Sequence, residues 1–117
     1  MNKIFEQLLA IDNSPEMQQA ISTGIFYVEA ISTMCGYSIG SMGDDLPNVY
    51  PTKELAEKDN QEMIENHLQQ IEDGERDEGD EWEGEVMECR WDGSENMSLY
   101  SDGHLIATDS WKSLAGL

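Results

Sequence analysis

The chain has 117 residues, enough for one domain with a single core and too few for two. Its 25 Asp and Glu against 6 Lys and Arg give a formal charge of -19, which repels nucleic acid, anionic lipid and acidic substrates and leaves basic molecules as the natural partners. Aromatic residues, many Ile, Leu and Met, and clear periodic segments argue against wholesale disorder.

In chain order, Ile4, Phe5, Leu8, Leu9 and Ile11 have the spacing of a short helix with one apolar side. Asp12-Asn13 stops it. Ser14-Pro15-Glu16 restarts a helix, because Ser caps it, Pro fits its first turn and Glu complements its positive end. Thr23-Gly24 closes this opening pair, residues 1–23. From Gly24 to residue 42 the β-branched and aromatic run Ile25 to Ile31, the break at Cys35-Gly36 and the piece Tyr37 to Gly40 predict a hairpin. A continuous helix from Ser14 to Met34 competes with it, since Ile21, Ile25, Val28 and Ile31 also fit helical spacing. Gly43 to Asn48 has turn composition.

Residues 52–72 read as the main helix. Thr52 is its N-cap after Pro51, and Ala56, Met63, Ile64, His67, Leu68 and Ile71 form an apolar stripe, with Ile64 at its centre. Glu54, Glu62, Glu65 and Glu72 fall near the opposite side, a row of acids with little neutralisation beyond Lys58. The helix runs into the densest charge in the chain, Glu72 to Glu85, in which nine of fourteen residues are carboxylates and only Arg76 is basic. Asp73, Glu75, Asp77, Glu78, Asp80, Glu81 and Glu83 belong to this block, and Trp82 stands in its middle as either an anchor into the fold or a contact for a partner.

Beyond it, residues 85–107 supply strands: Met87, Cys89 and Trp91 alternate with Val86, Glu88 and Arg90, and Ser101-Asp102-Gly103 joins Met97–Tyr100 to His104–Ala107. Thr108 or Asp109 caps a last short helix, 109–115, with Trp111 and Leu114. The expectation is a single α+β domain, an antiparallel sheet of about five strands with one long helix packed on it and short N-terminal helices.

Recognisable chemistry is sparse. An EF-hand loop begun at Asp73 fits Glu75 and Asp77 but puts Glu78 at the obligatory glycine and Gly84 at the closing acid. Loose calcium binding by clustered carboxylates stays open; a specific metal site is not predicted. Cys35 and Cys89 lack CxxC spacing, and His67 and His104 have no nucleophile or carboxylate placed beside them by sequence. Gly36, Gly40 and Gly43 match no phosphate-binding loop. No catalytic residues and no cofactor are expected. No apolar run approaches a membrane span and the N-terminus lacks a secretory signal pattern, so the expected place is the cytoplasm, with both thiols reduced.

The acids therefore carry the functional expectation. Duplex DNA presents about one negative charge per 1.7 Å of axis, and carboxylates on a helix and adjoining loop would be accepted by a Lys- and Arg-lined groove. Small size, extreme acidity, absent catalytic motifs and an α+β layout resemble the phage-encoded inhibitors of bacterial defence, the anti-CRISPR and anti-restriction proteins, several of which mimic DNA. The segment Tyr50-Pro51-Thr52-Lys53-Glu54-Leu55-Ala56 is similar to helix entries in many small phage proteins. The resemblance implies a viral inhibitor that binds a basic nucleic-acid-binding host protein inside an infected bacterial cell, with no direct nucleic-acid or membrane contact. The alternative is an adaptor that binds through Trp82, Trp91 or Trp111 and uses its acids for solubility. An enzyme would need a pocket that the sequence does not reveal.

Overall fold

The computed structural model describes residues 3–33, 36–43, 45–74 and 84–116. Helices α1 (Lys3–Ile11) and α2 (Pro15–Thr23) open the fold. The start of α2 is set as its sequence implies: Ser14 Oγ accepts from Met17 N at 3.2 Å, and Pro15 occupies the first turn. Gly24 ends α2 with φ 75°, so the helix competing for Ser14 to Met34 does not form. A Cβ at Gly24 would sit 3.2 Å from the Trp91 carbonyl oxygen, and that carbonyl's residue donates its own N–H to Gly24 O at 2.8 Å. Left-handed backbone and close approach both require glycine there.

Strand β1 (Ile25–Thr33) turns back into β2 (Gly36–Ser38), as the hairpin reading predicts. Two short strands, β3 (Ser41–Gly43) and β4 (Leu46–Pro47), form a separate pair. The long helix α3 (Lys53–Glu72) follows, then β5 (Glu85–Arg90), β6 (Asn96–Ser101) and β7 (His104–Ser110), and helix α4 (Trp111–Ala115). The main sheet has the order β2-β1-β5-β6-β7, and all its pairings are antiparallel. Asp102 and Gly103, with φ 51° and 81°, make the tight β6–β7 connection, the left-handed pair that matches strand twist.

The last helix starts later than Thr108 or Asp109. Thr108, Asp109 and Ser110 pair with Ser98, Met97 and Asn96 and extend β7. Asp109 Oδ1 accepts from the N–H of Ser110, which is the N-cap.

Register places Phe26 opposite Cys89 and Cys89 opposite Leu99. With Val28, Ala30, Met87, Trp91 and Met97 they form one buried face, joined in the core by Phe5 and Leu8 of α1, Met17 and Ala20 of α2, and Trp111 and Leu114 of α4. Trp91 is the hub. Its ring stands edge-on to Phe5 at 5.2 Å between centroids and lies 5.9 Å from Phe26 and 6.0 Å from Trp111, while its indole N–H donates to Ser94 O at 2.8 Å.

Helix α3 packs on β1 and β5, but on the other side of the sheet. Side chains alternate along β1, so Tyr27 and Glu29 face away from Phe26, Val28 and Ala30, and Glu29 meets Asp59 of α3. This second face is partly polar, and the predicted apolar stripe is correspondingly shallow. Ala56 is fully buried; Ile64 and Ile71 are half-buried; Met63 and Leu68 are exposed. The seat of the helix is therefore its first turns and not Ile64. Ala56→Asp is expected to lower the melting temperature clearly more than Ile64→Asp, because only the first places a charge in a site closed to water. Equal losses in thermal melts would put the seat back at the middle of the helix.

Candidate functional site

Thr52 fixes where α3 begins: its Oγ1 accepts from Leu55 N at 3.2 Å. That phase sends Ala56 to the sheet and Glu54, Glu62, Glu65 and Glu72 to solvent, where all four are exposed, together with Glu57 and Asp73. At a rise of about 1.5 Å per residue, Glu54 and Glu72 stand about 27 Å apart along the axis. Neutralisation is slight. Lys53 Nζ lies 3.7 Å from Glu57, and among the described residues none of the other acids in this row is held in an ion pair. Gln61 donates to Glu65 at 3.4 Å and Gln69 to Asp73 at 3.2 Å, contacts that orient the carboxylates without cancelling charge.

The structure thus brings Glu54, Glu62, Glu65, Glu72 and Asp73 onto one exposed side of one element. Glu75, Asp77, Glu78, Asp80, Glu81, Trp82 and Glu83 lie outside the described residues, as does most of the EF-hand register tested above. Trp91 and Trp111, named for the adaptor alternative, are buried to 3% and 5% exposure. They are core residues and present no surface to a partner. Cys89 is buried as well, and desolvation pushes its thiol up to about 12, far from a reactive thiolate. His104 is exposed at the start of β7. Among the described residues no group of three His, Cys, Asp or Glu is placed to hold a metal ion, and no helix is long and apolar enough to cross a membrane.

A second acidic feature escapes the sequence reading. Glu29 is only 7% exposed, and its Oε1 has no hydrogen-bond partner. Tyr50, held beside β1 by reciprocal backbone bonds with Tyr27 of 2.8 and 2.7 Å, donates its hydroxyl to Asp59 Oδ2 at 2.6 Å. Burial first, then the Asp59 charge and its hydrogen bond, push Glu29 up to about 7. The same burial and the carboxylate acceptor hold the Tyr50 hydroxyl well above its ordinary value. The signal was present in two places: an acid interrupting the apolar run Ile25 to Ile31, and Asp59 three residues after Ala56, hence near the buried side of its helix. Nothing in sequence joins the two.

Protein-family models, curated proteins and solved structures all give no match to this chain. The site is read from its own residues.

Proposed function

We propose that this chain is a non-enzymatic inhibitor that binds a basic nucleic-acid-binding protein, a CRISPR effector being one example, and covers its DNA or RNA site with an acidic surface. It would act in the cytoplasm of an infected bacterial cell. The observation that supports this reading is the exposed row Glu54, Glu62, Glu65 and Glu72 on one side of α3, continued by Asp73. A basic groove that follows a nucleic-acid backbone would meet this row along its length and be drawn to it over roughly a Debye length, about 8 Å at 0.15 M salt. The row is sparser than duplex DNA, with its charge every 1.7 Å or so; the acids of 75–83 are needed in sequence to bring the count nearer. The role is occlusion by charge complementarity, with no bond made or broken.

The test uses the intact protein immobilised against a bacterial lysate. At low salt it should retain nucleic-acid-binding proteins that duplex DNA displaces. The variant with Glu54, Glu62, Glu65, Glu72 and Asp73 all changed to Lys should retain few or none while melting as the wild type does, since every altered side chain is exposed. Retention of the same proteins by that variant, or a gel shift of duplex DNA by the wild type itself, would refute the reading.

A further inference from the structure

A cavity of about 380 Å³ opens between α1, the start of α2, the 42–51 segment and α3. Its inner wall is apolar, formed by Leu8, Met17, Met42 and Val49, of which Leu8, Met17 and Val49 are nearly inaccessible. Two large apolar side chains, Ile11 at 54% exposure and Leu55 at 45%, stand side by side with this wall in the lining and extend its apolar surface to solvent. The polar lining is mainly acidic: Asp12, Asp59 and Glu62 against Lys58. Asp59 is held in place, since Tyr50, also on the wall, donates to it at 2.6 Å, and the buried Glu29 carboxyl lies against it.

Each part restricts the occupant. The volume is at the lower end of ligand sites, about 300 to 1,000 Å³, so it accommodates one large side chain and not a helix. Two methionines make the wall adaptable to shape. A net excess of acid at the rim attracts cationic groups beside that side chain and disfavours an anionic one. Glu62 belongs both to this rim and to the outer acidic row of α3, so the two surfaces are continuous.

We propose that the cavity is the anchor point for the basic partner and receives a large apolar or aromatic side chain flanked by Lys or Arg. This rests on the acidic-surface reading and adds to it a short-range, apolar determinant that charge alone does not supply. Long-range attraction brings the partner to α3; insertion beside Leu55 and Ile11 fixes its register.

Three synthetic peptides test it against the full chain: one with a single Trp between lysines, the same with Gly in place of Trp, and the same with Gln in place of the lysines. Binding is followed by titration and by the methyl resonances of Met17 and Met42. The Trp and lysine peptide should shift both methyls and bind about tenfold or more tighter than the Gly version, the scale expected for burying one aromatic side chain. Leu55→Arg, at an exposed position that tolerates it, should weaken that peptide by a similar factor. Equal binding of the Trp and Gly peptides, with shifts confined to the outer side of α3, overturns the anchor and leaves the acidic reading standing. Insertion of the Gln peptide as tightly as the lysine one overturns the basic partner and makes the cavity a site for neutral apolar groups. No binding of any peptide counts against both.

Discussion

Trp91→Ala is expected to unfold or nearly unfold the domain. The substitution empties the centre of the aromatic group formed by Phe5, Phe26 and Trp111, in a site with 3% exposure that joins α1, α4 and the sheet. Truncations of this kind cost about 3 to 5 kcal/mol, against a total stability of about 5 to 15 kcal/mol for an ordinary domain. Self-repulsion at a formal charge of -19 acts against the compact state and leaves less reserve to absorb such a loss. Ser94 O would also lose the indole donor that reaches it at 2.8 Å. Trp91→Phe should lose much less, because it keeps the ring contacts while giving up that hydrogen bond. Urea titrations of the three proteins decide it: a midpoint for Trp91→Ala close to that of the wild type would show that the aromatic group is not the centre of the core.

That centre was only half legible. Alternation along Glu85 to Trp91 assigned Met87, Cys89 and Trp91 to one side of a strand, and the structure buries all three. Local chemistry was equally readable, because a cap or a tight turn is decided by neighbours: Ser14 before Pro15, Thr52 before Lys53, Asp102-Gly103 between strands. What periodicity could not convey is which face of the sheet receives which helix. Helical spacing gave α3 an apolar side and suggested that the core lay beneath it, whereas α1, α2 and α4 cover the Phe26 face and α3 sits over Tyr27 and Glu29. The boundary between β7 and α4 lies later than composition implies for a related reason. Thr108, Asp109 and Ser110 are polar residues at the end of an edge strand with little burial on either side, so no alternation marks them as strand.

The exposed acids of α3 were found from sequence because one helix places them all. Glu29, Tyr50 and Asp59 were not, because they come from β1, the segment before α3, and α3 itself, and their meeting depends on how the helix lies across the sheet. A lone acid in an apolar strand marks one half of such a contact. Only the fold supplies the other.

That contact makes stability depend on pH in a stated direction. Glu29 has an ordinary value of 4.5 and is raised to about 7 in the folded chain, so between these limits the native state holds a proton that the unfolded state has released. Stability contributed by the protonated carboxyl is fully present below 4.5, falls as pH rises through the window, and is gone above about 7. The span is worth at most about 3 kcal/mol. Other carboxylates add their own slopes, so the measurement is a comparison of variants. Glu29→Gln keeps the size and a hydrogen-bond donor toward Asp59 and has no charge to bury; it should match the wild type at about pH 4.5 and exceed it increasingly up to about pH 8. Asp59→Asn should remove part of the same slope, because burial, the larger cause, remains while the like charge is gone, and its amide oxygen still accepts from Tyr50. Unfolding curves at a series of pH values give the result directly. If wild type and Glu29→Gln run parallel from acid to alkaline pH, Glu29 titrates alike in the folded and the unfolded chain, which means that water reaches its carboxylate and that Asp59 does not press its charge on it beneath α3.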